Sequence, residues 1–268
     1  MEGIKVYIRV RPLTVDGEAS FYHDDEHNVA TSISKSCNEI SVKSSNREVC
    51  CKYDYVWGPS STQAEVYDQV KSSVSDVLKG FNSTIFAYGQ TSSGKTHTMF
   101  GKESHIFDDP GIVPRCVRDI FKHSIGIDMS VFVSFIQVYN EQVYDMLDDP
   151  ERRKPLSIHE SSHSSISIAG LTEYQVHTFK QCMSLVELGL RNRTIRETCM
   201  NNASSRSHSI LQITIEQKKF DISEDSYSLI CSKLNLVDLA GSERWDSSGK
   251  GKGMANDQIS ELTNINSR

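Results

Sequence analysis

The sequence predicts an α/β fold in which apolar strands feed a phosphate-binding turn and helices alternate with them. Three observations carry this. The apolar run Ile85–Tyr88 leads directly into Gly89-Gln90-Thr91-Ser92-Ser93-Gly94-Lys95-Thr96, which fits G-x-x-x-x-G-K-[ST]. A second apolar run, with Leu234, Leu236 and Val237, ends in Asp238, and Gly241 follows three residues later. Between and around them, segments of helical period alternate with segments of strand period. At 268 residues and 37% hydrophobic, the chain can build a sizeable core in one large α/β domain or two smaller ones.

The first motif has a physical logic. Glycine lets the backbone turn tightly enough for its N–H groups to face phosphate oxygens, and the helix that follows adds unpaired N–H groups and a positive dipole end. Lys95 would reach the β/γ-phosphates as a point charge, and Thr96 would place its hydroxyl on Mg²⁺.

Composition narrows the partners. A net charge of −6 gives no global basic field for nucleic acid or an anionic membrane. Seven scattered cysteines without a CxxC pair suggest reduced thiols in a cytosolic protein. There is no membrane-spanning apolar run, and IKVYIRVRPL near the start is not a signal peptide.

Taken in order, Ile4, Val6, Ile8 and Val10 alternate with Lys5, Tyr7, Arg9 and Arg11, a half-buried strand stopped by Pro12. Periodicity alone puts Arg9 and Arg11 on a solvated face. Residues 13–37 read as irregular. Ile40/Val42 and Val49/Cys51/Tyr53/Tyr55 predict two strands around a turn at Ser44–Arg47. Thr62-Gln63-Ala64-Glu65 is a capping box, and Val66, Val70, Val74 and Val77 continue as one helix to Gly80. Pro114 opens a helix carrying Val117, Ile120 and Phe121 that ends near Gly126. Ser130–Val138 is apolar on both faces, as a central strand would be, and Tyr139-Asn140-Glu141 breaks it before Val143–Leu147. Residues 148–170 read as a loop, with His159 and His163 on its surface. Cys182, Met183, Val186 and Leu190 mark a helix over about Lys180–Arg196. Leu211, Ile213 and Ile215 alternate as a strand, residues 218–227 read as a hairpin loop, and a helix starts at Asp257.

An apolar strand ending in Asp, behind a P-loop, is the pattern of a P-loop NTPase's second Mg²⁺ contact. With the cluster Asn201-Asn202-Ala203-Ser204-Ser205-Arg206-Ser207-His208, these segments resemble a kinesin motor head. IKVYIRVRP resembles the family's first strand, FAYGQTSSGKTHTM its P-loop, NNASSRSHS its switch I and LNLVDLAGSE its switch II. GIVPR and VSFIQVYNEQVYDML also match, so the resemblance covers nearly the whole chain, from Ile4 to Asn266.

The resemblance implies a mixed central sheet flanked by helices on both faces, and a Mg²⁺-dependent ATPase working on microtubules. By residue, it implies that Arg9, Arg11 and Pro12 flank the adenine, with His97 on its other side. Gly89 to Thr96 hold the phosphates. Thr96 and Ser205 ligate Mg²⁺, and Asp238 does so through water. Ser204 lies close to the γ-phosphate, and Asn201 helps close that shell. Gly241 senses the γ-phosphate. Arg206 and Glu243 form an ion pair sealing the pocket, and Glu243 accepts the proton of the attacking water through a second water. It also implies a cytoplasmic, microtubule-associated location and an oligomeric state set by a stalk outside these residues, while charge and hydropathy predict no nucleic-acid partner and no membrane insertion.

Against the family pattern, residues 1–268 end inside the switch II helix, without the last core strand, its helices and the neck linker. The stretch from Gly249 to Asn264, with Lys250 and Lys252, is longer than usual. Glu160–Ser167 is rich in Ser and His where many kinesins are basic, with Arg152, Arg153 and Lys154 nearby to compensate. Loss of a central strand predicts a marginal or aggregation-prone chain. The alternative function is therefore a non-motile kinesin-like fragment that binds nucleotide or microtubules without productive turnover. A GTPase is the third option; D-x-x-G suits it, but no N-K-x-D guanine-reading motif occurs.

Overall fold

The structure is a computed structural model and describes residues 3–12, 31–44, 47–102, 108–124, 128–149, 154–160, 166–199, 206–221 and 226–243. Its internal contacts divide the chain into two units, Met1–Val66 and Tyr67–Arg268.

In the first unit, β1 (Tyr7–Arg9) is shorter than the alternation predicts. β2 (Thr31–Ile33), β3 (Glu39–Ser44) and β4 (Arg47–Lys52) form an antiparallel sheet. β2 lies in the segment expected to be irregular; three residues are too few to display a period. β1 pairs in parallel with β5 (Tyr55–Trp57), placing Arg9 opposite Trp57. The strand expected from Val49 to Tyr55 is thus two strands. Asp54 interrupts it, its carboxylate accepting the Val6 N–H at 2.6 Å while its own N–H donates to the Val6 carbonyl at 3.0 Å.

The capping box forms as expected at the start of α1 (Gln63–Val70). The Thr62 N–H donates to Glu65 Oε2 at 2.7 Å, and the Glu65 N–H donates to Thr62 Oγ1 at 3.2 Å. Thr62→Ala should lower stability by about 1 kcal/mol, read from urea unfolding. The single helix expected to Gly80 is in fact two, α1 and α2 (Ser72–Leu78), parted at Lys71. There the Val74 N–H bonds to the Lys71 carbonyl three residues back, a tighter turn than the α-helical one. Gly80 stands at φ +101° just beyond α2, the left-handed position that stops a helix.

The second unit is built on one sheet. After β6 (Ser83–Ala87), α3 (Lys95–Phe100) and α4 (Ile112–His123) come β7 (Met129–Tyr139) and β8 (Gln142–Asp145). Asn140 and Glu141, at φ 46° and 62°, make the turn between those last two. The expected loop at 148–170 instead carries an exposed hairpin, β9 (Ser157–Glu160) with β10 (Ile166–Ala169). His159 is exposed on it, and His163 lies outside the described residues. Two four-residue strands in a polar context give almost no periodic signal.

Then follow β11 (Tyr174–Val176), α5 (Phe179–Cys199), β12 (His208–Asp221) and β13 (Ser226–Asp238). The hairpin loop expected at 218–227 is shorter, because both strands run on through residues 218–221 and 226–227. The sheet order is β11-β7-β12-β13-β6, with β8 paired to β7, and among the described strands of this sheet only β13 and β6 run parallel. Val133, Phe135, Leu211, Ile213, Leu234 and Leu236 share one buried face. Helices α2, α3 and α5 pack on that face. A Cβ on Gly189 of α5 would run into the Phe135 ring, Phe100 of α3 packs against Phe135, and the Ser232 hydroxyl donates to the Val77 carbonyl of α2. On the opposite face Phe86 is exposed. The helix expected from Asp257 lies outside the described residues. Among the described residues, no helix is long and apolar enough to cross a membrane.

Candidate functional site

The parallel register of β6 and β13 sets Ala87 opposite Asp238, so the strand that feeds the P-loop and the strand that ends in aspartate finish side by side. Ligands of α/β sheets bind beyond such carboxyl ends. Two backbone bonds tie the segments past the strands: Leu239 N–H to the Ala87 carbonyl at 3.4 Å and Ser242 N–H to the Gly89 carbonyl at 3.1 Å. Gly94 has φ +97°, and a Cβ there would meet nothing within 4 Å, so conformation rather than space demands glycine.

Lys95 folds back over the loop. Its Nζ donates to the Gly89 and Gln90 carbonyls, both at 2.9 Å. Burial pushes this ammonium below its ordinary pKa and Arg193 adds to that, against the pull of Asp238 and Glu243. Thr96 Oγ1 donates to Asp238 Oδ2 at 2.7 Å, joining the two sequence motifs. The same carboxylate oxygen accepts from Arg193 Nη1 at 2.9 Å in a pair that is 6% and 1% exposed. Arg193 also donates to Ser209 Oγ and to the Ser207 carbonyl. Among the described residues, Asp238 Oδ1 is buried with no hydrogen-bond partner.

Sequence reasoning missed Arg193. A signal existed: Val186, Leu190 and Arg193 fall at i, i+4 and i+7, so the apolar stripe of α5 carries a charge toward the sheet. A charge on that stripe requires a buried partner.

Glu243 turns to the P-loop. The Thr91 N–H donates to its Oε2 at 2.8 Å, and Thr91 Oγ1 donates to its Oε1. Desolvation opposes ionisation, but the hydrogen bonds from Thr91 and the Lys95 charge outweigh it and hold the carboxyl below its usual value. His208 Nδ1 accepts the Ala240 N–H at 3.1 Å, which requires the neutral ring. Burial and Arg193 lower its pKa from 6.5, against Asp238. A depressed histidine contributes stability that is fully present above the unfolded value and lost as pH falls from about 6.5 through the folded value. The melting temperature should therefore drop on acidification below pH 6.5, and His208→Asn should flatten that slope.

The remaining predicted residues divide as follows. In the first unit, Arg9 is half-buried and donates to Gln63 Oε1 at 2.9 Å and to the Ser61 carbonyl at 3.4 Å, Arg11 is half-buried and Pro12 exposed. In the second, His97 faces Asp109 at 3.9 Å, and Arg206 is half-buried just before β12. Asn201, Ser204 and Ser205 lie outside the described residues, as do Lys250 and Lys252.

Hydroxyl and carboxylate oxygens suit Mg²⁺, a hard cation that keeps several waters. Thr96 and Asp238 fit that requirement, and Asp238 Oδ1, without a hydrogen-bond partner among the described residues, would suit a metal-bound water.

Comparison with known proteins gives one answer. The kinesin motor domain family model matches residues 9–268. Kinesin-like protein KIN-7N of Arabidopsis thaliana is 41% identical over 255 residues, covering 94% of this chain and 29% of that protein. Kinesin-like protein KIN-5D of the same plant is 37% identical, covering 94% and 25%. The kinesin heavy chain of Caenorhabditis elegans is 39% identical, covering 92% and 29%. The chain thus spans less than a third of the length of these relatives. The solved structure of a fast kinesin superposes with a TM-score of 0.84 at 31% identity, covering 97% of this chain and 71% of that one. The joined P-loop and DLAGSE segments and the whole mixed sheet thus sit in one known architecture, and the chain belongs to the kinesin motor domain family.

Proposed function

We propose that this chain is the head of an ATP-driven microtubule motor. The observation that carries the reading is the 2.7 Å bond from Thr96 to Asp238, which couples the P-loop to the segment that would report the nucleotide's state. Lys95 leaves the Gly89 and Gln90 carbonyls for the β/γ-phosphates, exchanging two neutral acceptors for charged ones. Gly89 to Thr96 hold the phosphates. Arg9, Arg11, Pro12 and His97 are the residues proposed for the adenine, on the family resemblance alone.

By the family resemblance Thr96, Ser205 and Asp238 would hold Mg²⁺, which would neutralise phosphate charge. By the same resemblance Ser204, Asn201 and the Gly241 N–H would serve the γ-phosphate. Glu243, kept ionised by Thr91 and Lys95, takes the proton of the attacking water through a second water and pairs with Arg206. Phosphoryl transfer needs little beyond such positioning and charge stabilisation. Loss of the γ-phosphate would remove the contact that Gly241 is proposed to make, and that change is the proposed signal to the microtubule.

The test is ATP turnover by the full-length protein with and without microtubules, with Lys95→Ala as control. Turnover raised by microtubules and lost in the variant is expected. Nucleotide binding without turnover in either condition overturns the motor reading and favours the non-motile one.

A further inference from the structure

Thr91 is the P-loop residue whose contacts the phosphate chemistry does not use up. Its backbone and side chain grip one carboxylate from both sides: N–H to Glu243 Oε2 and hydroxyl to Oε1. The two residues are 152 positions apart, and the Ser242 N–H to the Gly89 carbonyl holds the same two segments together close by. The space for this grip exists because residue 241 is glycine. A Cβ there would lie 2.5 Å from both Glu243 carboxylate oxygens and from Thr91 Oγ1.

We propose that Thr91 is the positioning residue for Glu243, fixing the direction of the carboxylate that receives the proton of the attacking water. This rests on the role given to Glu243 above. A glutamate has three rotatable side-chain bonds, and an unanchored carboxylate would sample orientations that are useless for proton transfer. Two donors on two different oxygens remove that freedom. The amide donor survives any substitution except proline, so the hydroxyl is the component a side-chain change can remove.

The experiment compares Thr91→Val, Thr91→Ser, Glu243→Ala and the Thr91→Val/Glu243→Ala double variant in the full-length protein. Microtubule-stimulated kcat, KM for ATP and the Kd of a fluorescent ADP analogue are measured for each. Thr91→Val should lower kcat about tenfold, the loss of one hydrogen bond to a charged group, with KM and the ADP Kd within about twofold. Thr91→Ser should return kcat to within about threefold of the parent, because it restores the hydroxyl. In the Glu243→Ala background, Thr91→Val should cost nothing more. If Glu243→Ala abolishes turnover while Thr91→Val leaves kcat unchanged, the positioning role is overturned and the role of Glu243 stands. A Thr91→Val loss that serine does not rescue, or that adds fully to Glu243→Ala, also overturns it. If Glu243→Ala keeps parental turnover, both fail together.

Discussion

Lys95→Ala should lower kcat/KM for ATP by at least about a hundredfold, on the order of 3 kcal/mol of lost charge stabilisation. Lys95 is half-buried, and burial already lowers its pKa. Its ammonium has thus given up part of its hydration before any phosphate arrives, and its hydrogen-bond partners among the described residues are the neutral Gly89 and Gln90 carbonyls. A partly desolvated cation gains more from a phosphate than a hydrated one does. Lys95→Arg should not restore the activity, because a planar guanidinium does not fit a seat built for a compact ammonium. The fold should survive, since the Thr96–Asp238 and Ser242–Gly89 bonds do not involve Lys95. Turnover assays read the effect, and an unchanged melting curve without nucleotide separates it from unfolding. A loss smaller than about fivefold would remove Lys95 from the phosphate site.

The P-loop and the strand ending at Asp238 were legible because their signals are local: a glycine pattern, a short apolar run and a terminal acid. Their adjacency was not local. It follows from the parallel pairing of β6 with β13, whose residues lie about 150 positions apart. Central strands such as β7 and β12 declared themselves through length and apolar content. The β9–β10 hairpin and β2 did not, being short, exposed and mixed in composition. The break between β4 and β5 depends on Asp54 bonding to Val6, a partner 48 residues away that no pattern around Asp54 reports. The turn within the α1–α2 stretch left no mark on the valine spacing.

The candidate site divides along the same line. Residues that bind through backbone shape, such as Gly94, announce themselves by type. Residues that act through a distant contact do not. Thr91 was legible as a P-loop member but not as the partner of Glu243. His208 stood in the quoted switch-like cluster without a role, and its contact with the Ala240 N–H, 32 residues on, needs the folded sheet. Arg193 could have been found, because a charged residue in register with Val186 and Leu190 contradicts the apolar stripe unless something buried answers it.

Arg193 carries the largest expected effect on stability. Its guanidinium and the Asp238 carboxylate are both almost wholly buried, 2.9 Å apart, and among the described residues Asp238 Oδ1 has no hydrogen-bond partner. Arg193→Ala would leave a buried carboxylate with only the Thr96 hydroxyl and would strand Ser209 and the Ser207 carbonyl. Breaking a buried pair from one side costs about 3–5 kcal/mol, so the melting temperature should fall by on the order of 10 °C. Removing the charge from both sides should cost less. In Arg193→Met/Asp238→Asn no unpaired charge is buried, and the new side-chain amide can still accept from Thr96, so most of the lost stability should return. On the proposed role of Asp238 that double variant should nevertheless be inactive, because an amide is a poor substitute for a carboxylate toward Mg²⁺ and its waters. Thermal unfolding of the parent, the single and the double variant in the absence of nucleotide tests this directly. If Arg193→Ala melts within about 2 °C of the parent, the ion pair does not hold α5 to the sheet, and the packing of Gly189 on Phe135 must do so instead.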